Sequence, residues 1–438
     1  MKPETVMLPS AEANLLPSDI APLHSRGVAQ TLAYAAEHSP FYRERLASLR
    51  PGSIAPPGGL GQIPFTTKQE VSAAGERLWC VPMERIVDVC TTSGTTGPPL
   101  LYPLTEGDLA RLACNEFLSF TCAGLTSGDI VLLAVTMDRC FMAGLAYFEG
   151  LRRIGCTVVR VGSGAPAMLL SLLDRLQPTA IVSVPSFLKR VAGYASEKGI
   201  DLRPSPVAKL ICIGEPIRDT DLTLNPLGRR IGDAWGASVF STYGATELAV
   251  SMCECPAGQG GHTHPKLVYI EIVDDAGRPV PDGEIGEMVA TTIGVEAMPL
   301  IRYRTGDCTF ITRQQCACGL WTPRIGPIVG RKHQMMKIKG TTVYPAAVQR
   351  VLDSFHEIAN YVMIVSAADT LSDNLEVLVA VQRAEPGLRK RIEEQLQGEL
   401  KVKPAVRIAD PAEIDRLQDS QNLRKKRVFI DIRPRQAL

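Results

Sequence analysis

The stretch Gly128-Asp-Ile-Val-Leu-Leu-Ala-Val135 decides how the larger part of this chain folds. It is a continuous apolar run bounded by glycine and polar residues, the pattern of a strand buried on both faces. Working outward, 142–154 reads as a helix, Cys156-Thr-Val-Val-Arg-Val161 as a strand and 166–175 as a helix. Ala180-Ile-Val-Ser-Val184 is then a strand, 186–197 a helix, and Ala208-Lys-Leu-Ile-Cys-Ile213 a strand ending at Gly214-Glu215-Pro216. Strands alternating with helices at this spacing predict parallel βαβ units, with ligand loops at the strand ends. Upstream, helical spacing over 27–48 broken by Pro40 predicts two short helices. Downstream, 267–311 changes to short strands separated by Gly, Pro and Asp, an antiparallel or barrel-like layer. The expected fold class is α/β: a large domain over 1–330 with parallel βαβ layers plus a β-rich layer, and a small, mobile α+β domain over 331–438. In the latter, strands Tyr361–Val365 and Leu375–Val381 alternate with helices Pro345–Ser354 and Pro386–Leu400, as in a ferredoxin-like unit.

At 438 residues, 45% hydrophobic and 21% charged, the composition is that of a globular protein too long for one core. A net charge of +1 gives no general electrostatic reason to bind nucleic acid or a membrane surface. No apolar run approaches a membrane span, and the first residues lack the apolar core of a secretory leader, so a cytoplasmic location is expected. The twelve cysteines are then expected as reduced thiols, with Cys90, Cys114, Cys140, Cys156 and Cys212 packed as small hydrophobes.

The chemistry is concentrated in a few segments. Thr91-Thr92-Ser93-Gly94-Thr95-Thr96-Gly97 combines hydroxyls with glycines, which lets backbone N–H groups and side chains approach a polyphosphate together. It is not a Walker loop, because no Lys-Ser or Lys-Thr pair follows. Ser241-Thr-Tyr243-Gly244-Ala245-Thr246-Glu247 gathers an aromatic, hydroxyls and a carboxylate on what reads as one short loop. Gly283–Glu287 is a turn. Ile301-Arg-Tyr-Arg-Thr-Gly-Asp307 ends in an acid suited to the vicinal hydroxyls of a ribose, Gly330-Arg331 stands at the inferred domain boundary, and Ser420–Val428 is a basic cluster.

In order and spacing, this set resembles the adenylate-forming superfamily, which includes acyl-CoA synthetases, and within it the phenylacetate–CoA ligase-like subfamily. The closer resemblance rests on Ser39-Pro-Phe-Tyr-Arg43, Ile63-Pro-Phe-Thr-Thr-Lys68, Gly214-Glu-Pro216, Glu254-Cys-Pro256 and Val343-Tyr-Pro345, and covers almost the whole chain. It implies ATP- and Mg2+-dependent conversion of an aromatic carboxylic acid to acyl-AMP, then transfer to CoA. Two anionic reactants must be held in line while their charge is neutralised. By resemblance, Thr92, Ser93, Gly94, Thr95, Thr96 and Gly97 cradle the β- and γ-phosphates, Thr246 contacts the α-phosphate, and Glu247 binds Mg2+. Asp307 takes the ribose hydroxyls with Arg331 assisting, and Gly214, Glu215, Pro216 and Tyr243 flank the adenine. Phe141, Gly144, Ser186, Gly214, Gly244 and Ala245 surround the acyl group, and Arg139 pairs with a ring substituent or with the carboxylate. A small domain rotating about a hinge near Arg331–Gln334 then admits the CoA thiol. A homodimer is open to this subfamily, though no residue here argues for one.

Two departures matter. The family carries Lys after the Gly-Thr-Thr-Gly run, and here Pro98 stands there. At the C-terminus, where the family has a catalytic lysine, Arg424 occupies the position; Lys425 or Lys426 substitutes after a one-residue shift, or Arg424 serves as a fixed charge. These departures keep two alternatives open: a CoA-independent acyl-AMP ligase serving an amine, hydroxyl or carrier protein, and a non-catalytic nucleotide-binding relative. Finally, Cys253-x-Cys255, His262-x-His264 and Cys316-x-Cys318 offer six soft ligands in three clusters. Cys255, His262, Cys316 and Cys318 match best the zinc pattern of some relatives, with no position left open for water and hence a structural role. Cys253 and His264 are the alternative ligands.

Overall fold

The computed structural model describes residues 15–49, 59–92, 100–367, 372–381, 385–418 and 427–433. The phosphate-loop residues Ser93–Gly97, Pro98, and the basic residues Arg424, Lys425 and Lys426 lie outside them. The chain forms two compact units. One gathers the chain up to Thr223 with Arg230–Thr305 and Thr309–Pro327; the other comprises Leu224–Arg229, Gly306–Cys308 and Ile328 onward.

The first unit is built on a sheet of β3 to β8. A preceding hairpin, β1 (Asp88–Thr91) and β2 (Leu101–Leu104), stands apart from it. The sheet strands are β3 (Ile130–Ala134), β4 (Thr157–Arg160), β5 (Ala180–Ser183), β6 (Lys209–Ile213), β7 (Ser238–Ala245) and β8 (Val250–Cys253). Their order is β4-β3-β5-β6-β7-β8; all neighbours are parallel except β7 and β8, which form an antiparallel hairpin at the edge. Leu132, Val182 and Ile211 are fully buried, as continuous apolar runs require, and each such side chain contributes about 2 kcal/mol on leaving water.

The helices of this unit include α1 (Pro17–His38), α2 (Pro40–Arg45), α3 (Lys68–Ala74), α4 (Glu106–Cys122), α5 (Met142–Ile154), α6 (Pro166–Leu176) and α7 (Pro185–Glu197). Prolines open α1, α2, α6 and α7, where a missing N–H costs nothing. α1 starts ten residues earlier than the spacing over 27–48 suggests, because Pro17 pre-sets the first turn and Asp19 accepts the N–H of Leu16. A β-rich layer follows, with Val268–Val273 antiparallel to Gly286–Thr292 and then the strand Tyr303–Thr309.

In the second unit, Ile358–Ala367 and Asp373–Val381 form a central antiparallel hairpin. Ala405–Ile408 lies parallel to the second of these strands and Phe429–Asp431 parallel to the first. This is an α+β sheet but not the interleaved ferredoxin-like order, since apolar alternation fixes which residues are strand and leaves their neighbours to long-range pairing. Val348, Leu352, Val377, Ile392 and Leu396 fill its core.

Among the described residues no helix is long and apolar enough to cross a membrane. Cys90, Cys156 and Cys212 are buried as expected, but Cys114 is half-buried and Cys140 is exposed. Cys140 sits on the loop after β3 with a φ of 53°, where the chain turns over the end of the sheet instead of entering the core.

Candidate active site

The sheet order reverses at β3: the chain passes to β4 on one side and then to β5 on the other. Ligands of open α/β sheets bind at the carboxyl ends of strands flanking such a switch point. The loop after β3 carries Arg139 and Phe141, and the first turn of α7 after β5 carries Ser186, so three of the proposed acyl-pocket residues flank this crevice. Arg139 is exposed at a φ of 57°. Gly144 is required by packing, since a Cβ there would come 2.2 Å from the carbonyl oxygen of Thr136. The same loop is tied to the root of the phosphate loop, where the N–H of Thr91 donates to Cys140 O at 3.0 Å. Thr92 closes that root, exchanging backbone and side-chain hydrogen bonds with Leu100 at 3.1 Å.

Gly214 follows β6 with a φ of 73°, and the next residue reaches across to α7. Glu215 accepts the N–H of Ser186 and its hydroxyl, both at 2.8 Å. A carboxylate on the first turn of a helix is favoured by the unpaired N–H groups there. Glu215 is thus committed to Ser186. Tyr243, Gly244 and Ala245 are not on a loop but form the end of β7, with Gly244 opposite Ser251. Thr246 and Glu247 lie in a 3-10 turn closed by Ala249, whose φ of 48° turns the chain into β8.

Two further residues converge on Glu247. Its Oε1 lies 3.7 Å from Lys68 Nζ and accepts the Tyr303 hydroxyl at 3.4 Å. Arg111, buried on α4, donates to the carbonyls of Ala249 at 2.6 Å, Ile293 at 2.8 Å and Leu267 at 2.5 Å, clamping the turn from below. Both Lys68 and Tyr303 stand in segments whose resemblance is legible, yet only the fold shows them touching Glu247. In the second unit, Asp307 is buried and opposite Arg331 in register, accepting its Nε–H at 3.0 Å.

The ligand atoms of Cys255, His262, Cys316 and Cys318 all lie within 4.8 Å of one another. Cys255 Sγ and Cys316 Sγ are 3.6 Å apart, and Cys318 Sγ is 3.5 Å from His262 Nε2. Thr322 Oγ1 holds His262 Nδ1 at 2.7 Å, which aims Nε2 at the thiols. Burial pushes the Cys255 thiol up to about 12 and lowers His262 to about 3, so the imidazole is neutral and available as a ligand. The alternative ligands are engaged elsewhere: Cys253 accepts the Thr242 hydroxyl at 3.1 Å, and His264 Nε2 meets Ser119 Oγ at 3.0 Å. The donor set therefore fits a closed four-ligand zinc site.

The family model for AMP-binding enzymes matches residues 55–297, and that for the AMP-binding enzyme C-terminal domain matches 340–433. The phenylacetate-coenzyme A ligase of Thermus thermophilus is 31% identical over 402 residues, 90% of this chain and 88% of its own length. That of Pseudomonas putida is 30% identical over 385 residues, 85% of each chain. A solved structure of 2-hydroxyisobutyryl-CoA ligase in the postadenylation state, with R3-HIB-AMP, superimposes with a TM-score of 0.84 at 25% identity. The match covers 97% of this chain and 91% of that one.

Proposed function

This chain belongs to the AMP-binding enzyme family, and we propose that within it the protein is an AMP-forming ligase joining an aromatic carboxylic acid to CoA. Likeness to phenylacetate–CoA ligases along nearly the full length carries this reading. Among the described residues, the surroundings of Glu247 and the pairing of Asp307 with Arg331 support it. A carboxylate oxygen of the acid attacks the α-phosphorus of ATP, the bond to pyrophosphate breaks, and acyl-AMP results. The CoA sulfur then attacks the acyl carbon and AMP leaves. Glu247 offers its carboxylate to Mg2+, which when bound neutralises developing phosphate charge. Thr246 beside it is assigned to the α-phosphate, with Thr92 and Ser93–Gly97 on the outer phosphates. Asp307, with Arg331, is assigned to the ribose, and Tyr243 with Gly214–Pro216 to the adenine.

For the acid, the aromatic Phe141 is assigned to a flat ring together with the small residues Gly144, Gly244 and Ala245. Arg139 is assigned to a polar group on that ring or to the carboxylate. Residues 331–438 are assigned the lid, with a basic residue among Arg424, Lys425 and Lys426 serving adenylation. The closed Cys3His cluster is assigned a structural zinc. Metal analysis should find about one zinc per chain, and Cys316→Ser should lose the metal and lower the melting temperature; full metal content in the variant would reject the site. Free thiols suit a cytoplasmic setting.

The test of the reaction is isotopic. With an aryl acid labelled with oxygen-18 in its carboxylate, AMP should carry one labelled oxygen after thioester formation. Unlabelled AMP, or release of ADP and phosphate, would rule out the acyl-adenylate.

A further inference from the structure

Resting on that reading, we infer that Lys68 is the cation that receives the polyphosphate of ATP. The segment Thr91–Gly97 supplies hydroxyls and glycines but no cationic side chain, and proline follows at 98. Hydroxyls and backbone N–H groups solvate an anion without neutralising it, whereas a triphosphate brings several negative charges to one place. Beyond what a bound Mg2+ neutralises, the side-chain charge comes from elsewhere in the sequence.

Lys68 is brought beside Glu247 by a fixed segment. The N–H of Thr66 donates to Arg302 O at 3.0 Å, and its carbonyl accepts the N–H of Arg304 at 2.9 Å. Its Oγ1 donates to Ile301 O at 2.7 Å. The ring of Phe65 packs against the guanidinium groups of Arg302 and Arg304, 4.1 and 4.9 Å from its centroid. Thr67 then caps α3 in a reciprocal box with Glu70, with bonds of 3.2 and 2.7 Å, and Lys68 is the first residue of the helix. The stem is thus rigid up to the Cα, and only the side chain is left to move.

At 3.7 Å the approach of Lys68 Nζ to Glu247 Oε1 is longer than a hydrogen bond. The lysine side chain keeps 39% of its surface, against 13% for Glu247. An ion pair so exposed contributes little to stability and is given up readily once Glu247 turns to the divalent cation of MgATP. The ammonium, with rotatable donors on a flexible stem, then swings onto the oxygens of the outer phosphates and later of the pyrophosphate. Lys68 is in this account a phosphate-binding residue of the adenylation half-reaction.

Titration calorimetry with magnesium pyrophosphate, and separately with AMP, tests this on the wild type, Lys68→Gln and Lys68→Arg. Lys68→Gln should lose pyrophosphate affinity by about tenfold or more while binding AMP as the wild type does. Lys68→Arg should recover most of the loss. The KM for ATP should rise in parallel in Lys68→Gln. Unchanged pyrophosphate affinity in Lys68→Gln, or an equal loss for AMP, would overturn the assignment while wild-type acyl-AMP formation stands. A wild type that neither binds pyrophosphate nor forms acyl-AMP would remove the proposed function and this inference with it.

Discussion

At the scale of single residues, Glu247 carries the proposed adenylation chemistry. It sits in a 3-10 turn between two strands, half-buried, with Lys68 and Tyr303 at its carboxylate. Glu247→Gln keeps the shape and removes the charge. Acyl-AMP formation should fall by about a hundredfold or more, with nucleotide binding retained, when pyrophosphate release is followed at saturating Mg2+. A variant with near-normal turnover would take Glu247 out of the reaction. Most of these residues were legible because their chemistry is written locally: a carboxylate after Tyr-Gly-Ala-Thr, or an acid after Arg-Thr-Gly. The Lys68–Glu247 approach was not legible, since it joins positions far apart in sequence through hydrogen bonds that Thr66 makes to the strand after Ile301. Likewise Glu215, read as part of the adenine wall, spends its side chain on Ser186.

At the scale of elements, the β7–β8 hairpin holds the Thr246–Leu248 turn, and α4 holds the hairpin. Arg111→Met would leave the buried carbonyls of Ala249 and Ile293 without the guanidinium donor and remove one of two donors to Leu267 O, at a cost of about 3 kcal/mol in urea unfolding, and should slow adenylation by loosening Thr246–Ala249. Unaltered stability would mean that water replaces the clamp. Higher on the same helix, Asn115 Oδ1 accepts the N–H of Ser251 at 2.7 Å, and Glu116 Oε2 accepts its hydroxyl at 2.7 Å, directly behind Gly244. Burial raises Glu116 to about 8, well above an exposed carboxyl. The folded state therefore holds a proton that the unfolded chain releases near its ordinary carboxyl value. This contribution is complete below that value and is lost as pH rises through about 8. Glu116→Gln, neutral in both states, should flatten the decline in unfolding free energy across this window, and an unchanged slope would assign the decline elsewhere. The apolar runs predicted β3 to β6 and their helices to within two residues at most boundaries, because strands buried on both faces leave little ambiguity. Residues 241–245 look like a loop in sequence, since Tyr-Gly-Ala-Thr carries turn residues whose strand pairing depends on β8.

At the scale of the whole molecule, both family models and the full-length relatives agree with the resemblance carried by a handful of short motifs. Strand order in the C-terminal unit was beyond the sequence, because parallel outer strands around a central hairpin are chosen by long-range contacts. Together these parts are proposed to make an aryl thioester of CoA. Its most direct measurement follows pyrophosphate release with ATP and Mg2+ across benzoic, hydroxy- and aminobenzoic, phenylacetic and fatty acids, with and without CoA, identifying products by mass spectrometry. The account predicts an aryl-CoA thioester and AMP, formed only when CoA is present and with an aryl acid preferred over fatty acids. Acyl-AMP that accumulates unchanged in the presence of CoA, or no pyrophosphate from any acid, would contradict it.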